Sequence, residues 1–387
     1  MYCPIGQNIL NRFYTHLPVQ SRENGGKPVK RTIFAAYLAL LITAVTAFCL
    51  VWRSGGEDRL QPEPGTSPSP AASLTPAPTM EPRPSPSPSP TPSPAPEPSP
   101  SPAPAAASGS LSAPERLLVK CGGEVYDVTT EEYRGGVVAA EMPAYFEPEA
   151  LKAQAVAART YAMYCARTGR HSDADVCTDF ACCQAWHSPD TLRRNWGDSY
   201  DEHYAAVSAA VAATAGEYLS SEGEPVFAAF HASSCGATED CGAIWNPLPY
   251  LISVSSPETA DTVPGYISQL ELSPLDFRDT ILYAYPYADF TGDESAWVGE
   301  ITRDESGRVS AACLGGAEIS GTALRSLFSL RSTAFTLEYT GGSFLFTVTG
   351  HGHGVGMSQH GANLMAAQGS DYTQILAHYY PGTWLVK

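Results

Sequence analysis

About fifty residues of this 387-residue chain are unable to join a packed core, and that constrains every reading of the rest. From about Gln61 to Ser110 the sequence is dominated by Pro, Ala, Ser and Thr, as in PSPSPSPTPSPAPEPSPSPAPAAASGS. Such a stretch has too few apolar side chains to offset ordering entropy, and proline removes backbone donors. Polyproline-II extension is the expected state. At about 3.1 Å per residue it reaches roughly 150 Å, a spacer suited to work at a distance.

What precedes the spacer sets its surroundings. TIFAAYLALLITAVTAFCLVW, Thr32 to Trp52, carries no charge. A helix of that length spans roughly 30 Å, the thickness of a bilayer core. Arg12, Arg22, Lys27, Lys30 and Arg31 precede it, against a single acid, Glu23. The positive-inside rule then keeps the N-terminus in the cytoplasm and exports the remainder. The expected organisation is a cytoplasmic segment (1–31), a single transmembrane helix (32–52), a disordered linker (53–111) and one large extracytoplasmic domain (112–387). The expected localisation is the cell membrane, single-pass. The expected fold class of the exported domain is α+β, with a groove.

Beyond Arg53 there remain 17 basic and 39 acidic residues, a net charge near −22. No basic stripe exists to neutralise phosphates, which argues against nucleic acid as a ligand. Long-range steering toward an anionic polymer is excluded on the same ground, so any such substrate must be held by local contacts.

Within 112–387, Leu117–Val119 and Val125–Val128 flank Gly122-Gly123 and predict a hairpin. YFEPEALKAQAVAARTYAMYCARTG predicts a strong helix, with Pro148 in its first turn, Glu149 at the positive end of the dipole and Gly169 as terminator. A second helix is expected from Ser199 to Gly216. Hairpins are expected around Glu222-Gly223-Glu224 and Gly341-Gly342, and short helices in MSQHGANLMAAQG and YTQILAHYY.

Four stretches carry candidate chemistry. Glu141 follows the apolar run Val137-Val138-Ala139-Ala140, at the mouth of something buried, where desolvation favours the protonated acid. A capping or salt-bridged glutamate is the plainer alternative. Lys152 and Arg159 are seven apart and share one helix face, either gripping a ligand or meeting solvent. HASSCGATEDCGAIW, His231 to Trp245, joins small polar residues to an aromatic, as sugar-binding loops do. Cys235 and Cys241 there suit a local disulfide in an exported chain. GHGHGVGMSQHGA, Gly350 to Ala362, offers His351, His353 and His360. Their spacing is not H-E-x-x-H, so hydrogen bonding competes with metal binding. No G-x-S-x-G elbow occurs.

AEMPAYFEPEALKAQAVAARTYA, the loop at Ser233-Ser234 with nearby Trp245, ALRSLFSLRSTAF and GHGHGVGMSQHGANLMAAQG together resemble the stage II sporulation protein D family, which shares its domain with amidase enhancers. The resemblance covers residues 112–387, with the motifs in the family's order. It implies a peptidoglycan lytic transglycosylase of forespore engulfment. Such an enzyme cuts the β-1,4 bond between N-acetylmuramic acid and N-acetylglucosamine of denuded glycan with formation of a 1,6-anhydro ring. The family's catalytic acid falls on Glu141 and its basic pair on Lys152 and Arg159. Ser233, Ser234, His351, His353 and Gln359 are expected to line the groove. Implied partners are glycan strands, a cell-wall amidase and a membrane scaffold. The other class of function is a non-catalytic glycan-binding activator of an amidase.

HSDADVCTDFACC, His171 to Cys183, admits three readings: a metal site, disulfide half-sites or a reactive thiol. Some family members carry a structural zinc there in a His-x5-Cys-x4-His-Cys pattern. Here one histidine is replaced by Cys182, so the implied ligands are His171, Cys177, Cys182 and Cys183, a closed Cys3His set. Disulfides remain the alternative.

Overall fold

The computed structural model describes residues 114–387, which fall within one compact unit, Ser99–Lys387. β1 (Arg116–Cys121) and β2 (Glu124–Thr129) form the expected hairpin, turning at Gly122-Gly123, both with positive φ. A helix with no counterpart in the sequence reading follows, α1 (Thr130–Glu141). Thr129 caps it by accepting the Glu132 N–H at 3.1 Å, and Glu131 and Glu132 complement the dipole. Glu141 is its last residue, so the helix carries the acid to the edge of the core.

α2 (Pro148–Thr168) is the long predicted helix. Pro148 starts it, and Gly169 ends it in the left-handed conformation, donating its N–H to the Cys165 carbonyl. Its alanines keep the surface low, and two-thirds of its residues are buried, so neighbours close in on several sides. A short strand β3 (Val176–Cys177) returns parallel to β1. α3 (Pro189–Trp196) and α4 (Tyr200–Ala213) come next, then β4 (Tyr218–Ser221), β5 (Glu224–Pro225) and β6 (Phe230–His231). α4 lies within the predicted second helix, and β4–β5 is the predicted hairpin.

The following stretch builds a second core. β7 (Ile267–Leu272), α5 (Pro274–Ala284), β8 (Val298–Arg303), β9 (Val309–Leu314), β10 (Ala317–Ser320), α6 (Gly321–Leu327), β11 (Phe335–Thr340) and β12 (Ser343–Thr349) form two three-stranded sheets with their helices. Phe277, Phe344, Phe346 and Trp297 fill the space between them, the Phe277 and Phe344 rings stacked 3.9 Å apart. The chain then returns to the first core with β13 (Met357–Ser358), parallel to β6, followed by α7 (Gln359–Ala367), α8 (Tyr372–Tyr379) and β14 (Trp384–Val386), which pairs with β4. Around α2, Leu151, Val156, Val211, Leu219, Met357 and Tyr379 form one continuous apolar cluster.

This arrangement corrects the expected fold class. The architecture is mixed α/β: among the described residues five small sheets are interleaved with helices, four of them joining strands distant in sequence and two of the pairings parallel, instead of segregating as α+β implies. The transmembrane helix of that expectation has no counterpart in what is seen: among the described residues no helix is long and apolar enough to cross a membrane. The predicted span at 32–52 and the linker at 53–111 lie outside the described residues.

Candidate active site

Glu141 sits half-buried at the C-terminal end of α1. One carboxylate oxygen accepts the Ala185 backbone N–H at 2.7 Å, and the other faces the Gln359 side-chain amide at 3.4 Å. Desolvation pushes its pKa above the usual carboxylate value, and the two donors only partly offset that. The helix C-terminus, where a negative charge is unfavourable, acts in the same direction as burial. No other acid shares a hydrogen bond with Glu141 among the described residues. Glu141 also forms no ion pair with a basic side chain among the described residues, so the plain reading of a salt-bridged glutamate does not hold here.

Each of the two donors is fixed by its own network. Ala185 lies two residues beyond Cys183. Tyr161 Oη donates to the Cys182 carbonyl at 3.1 Å, and the Gln184 amide donates to Tyr133 Oη and to the Ala158 carbonyl. The His187 N–H donates to the Gly136 carbonyl at 3.2 Å. Gly136 is required there: a Cβ would lie 2.6 Å from the His187 carbonyl oxygen and closer still to the Trp186 indole nitrogen.

The four residues of the predicted zinc set come together in this same segment. His171 Nε2 lies 3.2 Å from Cys183 Sγ and 3.8 Å from Cys182 Sγ, and with Cys177 all four ligand atoms fall within 4.8 Å of one another. Tetrahedral zinc with bonds of about 2.0–2.3 Å places its ligands about 3.3–3.8 Å apart, so the residues fit the ion. All eight cysteines among the described residues are free thiols. The expected Cys235–Cys241 bridge is absent; the buried Cys241 thiol donates to the Asn246 carbonyl instead.

On the Gln359 side, Ser234 and His231 are both buried. His231 Nδ1 faces the Val355 carbonyl at 3.2 Å, so it carries the hydrogen, and Nε2 then accepts from Ser234 Oγ at 2.7 Å. Burial holds this imidazole well below its usual pKa, hence neutral. A serine beside a histidine resembles a nucleophile pair, but both are sealed in and the pair acts as a clip between two loops. Glu258 completes it. This buried acid, which the sequence reading missed, accepts the Ser234 N–H at 2.8 Å and the Ser358 hydroxyl. Ser358 caps α7, whose first residue is Gln359. Ser233 bridges to His351 through both backbone groups, at 3.0 and 2.8 Å.

The histidine loop holds no metal cluster of its own among the described residues. His353 packs on Trp245 with ring centroids 5.0 Å apart, and its Nδ1 accepts the Val355 N–H at 3.1 Å. His360 lies edge-on to Phe146 at 5.1 Å. His351 Nδ1 faces an Arg331 amine at 3.1 Å.

Lys152 and Arg159 are engaged away from Glu141. Lys152 pairs with Glu149 at 2.5 Å and lies 5.8 Å from the Tyr372 ring centroid. Arg159 is buried and donates to the Glu217 carbonyl, with its pKa pushed down to about 10 by burial and partly restored by the Glu217 charge. Tyr372 links the two positions by donating to the Glu217 carboxylate at 2.9 Å. A cavity of about 540 Å³ opens between α1, α3 and α4, lined by Gly135, His187, Leu192 and Tyr204 among others; Glu141 is not part of its wall.

Glu141 is thus a desolvated acid held between two loops by amide donors. The comparisons give the family. The family model described as Stage II sporulation protein matches residues 122–220, the stretch that holds Glu141, Lys152, Arg159 and the cysteine loop. Stage II sporulation protein D of Bacillus amyloliquefaciens is 38% identical over 263 residues, covering 67% of this chain and 74% of that protein. Its counterpart in Bacillus subtilis (strain 168) is 36% identical over 264 residues, covering 67% and 75%. An amidase enhancer of Bacillus subtilis (strain 168) is 28% identical over 302 residues, 65% of this chain and 40% of that protein. The chain belongs to the stage II sporulation protein D family, a cell-wall-related family of sporulation.

Proposed function

We propose that this chain is a lytic transglycosylase that cuts the β-1,4 bond after N-acetylmuramic acid in peptide-free peptidoglycan, on the outer side of the cell, during sporulation. The observation that carries this reading is the isolation of Glu141. An ordinary glycosidase needs two carboxyl groups, an acid and a base or nucleophile. Among the described residues no second acid acts on the Glu141 carboxyl, and its partners are one backbone amide and one side-chain amide.

A single carboxyl suffices if the sugar supplies the nucleophile. Protonated Glu141 gives its proton to the glycosidic oxygen, and the C1–O bond breaks with that oxygen leaving as the 4-hydroxyl of N-acetylglucosamine. The carboxylate then takes the proton of the muramic acid 6-hydroxyl as its oxygen bonds to C1. Atoms balance without water, and Glu141 ends protonated, as it began. Burial favours the protonated form at the start of the cycle. The Gln359 amide and the Ala185 N–H steady the carboxylate midway through it. His171, Cys177, Cys182 and Cys183 would hold a structural zinc; with all four positions filled by protein, its contribution would be to fix the segment that presents Ala185.

The second reading is a glycan-binding activator of a cell-wall amidase, favoured by the similarity to a protein named amidase enhancer. An amidase and a membrane scaffold remain proposed partners under either reading. Mass spectrometry of products from peptide-free glycan separates the two. The full chain is expected to release 1,6-anhydro-muramic ends, and Glu141→Gln to lower their rate at least 100-fold, the low end for loss of an acid–base group. Equal yields from both proteins would remove Glu141 from the chemistry. Absence of anhydro ends together with acceleration of an added amidase would establish the activator.

A further inference from the structure

An acidic domain that handles an acidic polymer needs a local cation, and most basic side chains here are already paired. Lys152 has Glu149, Arg167 has Glu224 and Arg193 has Asp190. Three arginines around the histidine loop are held less closely: Arg308 by a carboxylate 3.6 Å away, Arg325 and Arg331 by no ion pair among the described residues.

Arg308 is buried, and none of its guanidinium nitrogens has a hydrogen-bond partner. The nearest carboxylate oxygen, on Glu239, is 3.6 Å from Nε, beyond hydrogen-bond range, and that carboxylate already accepts from Ser306 and the Asp240 N–H. Gly354 presses on the guanidinium, so closely that a Cβ there would be 2.5 Å from Cζ. Arg331 reaches the same loop from the other side: one amine donates to the Gly265 carbonyl at 2.7 Å and the other faces His351 Nδ1 at 3.1 Å. Arg325 stands in the last turn of α6, half-buried. Neither Arg325 nor Arg331 forms an ion pair among the described residues.

We propose that Arg325 and Arg331, backed by buried Arg308, form a carboxylate-binding subsite beside Glu141, which takes the free carboxylate that peptide removal leaves on muramic acid. This rests on the reading of the chain as a glycan-cleaving enzyme and deepens it by naming the groups that would read the missing peptide.

The chemistry favours this ligand. Positive charge without a close carboxylate is unfavourable away from water: Arg308 has only Glu239, at 3.6 Å, and Arg325 and Arg331 form no ion pair among the described residues. An incoming carboxylate offers arginine its planar, bidentate partner. The histidines leave the charge to the arginines: desolvation and the nearby guanidiniums push His351 and His353 down to about 4, so both are neutral. The subsite is also continuous with the acid. Gln359, the partner of Glu141, is followed by His360, whose N–H donates to the Ala232 carbonyl at 3.0 Å; the residue after Ala232, Ser233, is bridged to His351, and His351 faces Arg331. A sugar chain passing Glu141 would carry its next carboxylate along this loop.

The test measures binding, so it does not depend on turnover. Full-length Glu141→Gln protein is titrated by calorimetry with peptide-free glycan oligomers, and with the same oligomers after their carboxylates are converted to amides. The free-acid glycan is expected to bind at least 10-fold tighter. Adding Arg325→Gln or Arg331→Gln should bring the ratio close to 1, while Arg325→Lys, which keeps the charge, should retain part of it. Equal affinity for the two glycans overturns the proposal, as does a ratio that survives in both glutamine variants. Sodium acetate and inorganic phosphate, at matched ionic strength, form the last arm. Acetate that competes only with the free-acid glycan supports the subsite. Either anion weakening both glycans alike would assign the arginines to a free anion and overturn it. Absence of anhydro product in the activity assay would refute the transglycosylase reading and leave this ratio unaffected, so the two can fail separately.

Discussion

Gly136→Ala tests whether the cysteine loop controls the ionisation of Glu141. The new Cβ would stand 2.6 Å from the His187 carbonyl oxygen, where real side chains keep at least 3.0 Å. The segment must therefore retreat by 0.4 Å or more, the difference between those two figures. The His187-to-Gly136 hydrogen bond, already 3.2 Å, would stretch past its useful range. Overpacking of this kind costs about 1–3 kcal/mol, and each kcal/mol lowers Tm by roughly 2–4 °C in a unit of this size. Ala185 is two residues away on the same segment. Its N–H lowers the Glu141 pKa, so weakening that bond drives the pKa further up. If protonated Glu141 starts the reaction, activity is lost as pH rises through that pKa, and the alkaline limb of the pH–rate profile moves to higher pH. Release of anhydro ends as a function of pH, beside thermal unfolding, reads both effects. Gly135→Ala is the control. It lies in the same helix with nothing within 4 Å of its Cβ, so it should stabilise by about 0.5–1 kcal/mol and leave the profile in place. A Gly136→Ala protein with lowered Tm and an unmoved profile would refute the coupling of loop to acid.

Glu141→Gln should be more stable than the native chain at neutral pH, by roughly 0.5–2 kcal/mol, as relief of a functional strain often is. The native carboxyl has a raised folded pKa, so its contribution is fully present below the unfolded pKa, near 4, and is lost as pH rises through the folded value. The advantage of the variant should disappear below about pH 4 in melting curves, and an advantage independent of pH would contradict the burial argument. Protein purified without added zinc should contain one equivalent of metal by elemental analysis, and Cys177→Ala should lose it together with several degrees of Tm; a metal-free, fully oxidised protein would end the zinc proposal. Arg159→Ala should destabilise by about 1.5–3 kcal/mol, since the side chain is buried and its charged guanidinium donates to the Glu217 carbonyl. Lys152→Met should cost less than about 1 kcal/mol, so a large activity loss there at unchanged Tm would mark Lys152 as a substrate contact.

Parts of the molecule were legible because they obey local rules. The Gly122-Gly123 and Gly341-Gly342 turns need positive φ, which glycine gives freely, and both hairpins appear where those pairs stand. Pro148 and Gly169 bracket α2 for equally local reasons. The family resemblance, and no local rule, implied His171, Cys177, Cys182 and Cys183 as a set, and their side chains do converge. α1 was missed because its interior holds Gly135, Gly136 and two valines, a weak helical composition; the Thr129 cap and the acids after it were the available signal. The fold class was misjudged for a different reason. Parallel pairing of β1 with β3 and of β6 with β13 rests on two-residue contacts between distant segments, for which a linear sequence holds no periodic signature.

The site shows the same division. Glu141 could be singled out because an acid after an apolar run has a physical consequence. What makes it usable could not, because one donor is a backbone amide and the other depends on a buried carboxylate. Ala185 stands 44 residues beyond the acid and Gln359 stands 218 beyond it. The first is placed by the cysteine loop, and the second by Glu258 acting through the cap of α7. A proton donor that must also become a base needs donors that stabilise its charged form without pairing it to a cation, because a close positive charge would hold the carboxylate ionised. Amides occupy both positions at Glu141, and Lys152 and Arg159 are tied to Glu149 and Glu217, an arrangement that meets this requirement of the proposed mechanism.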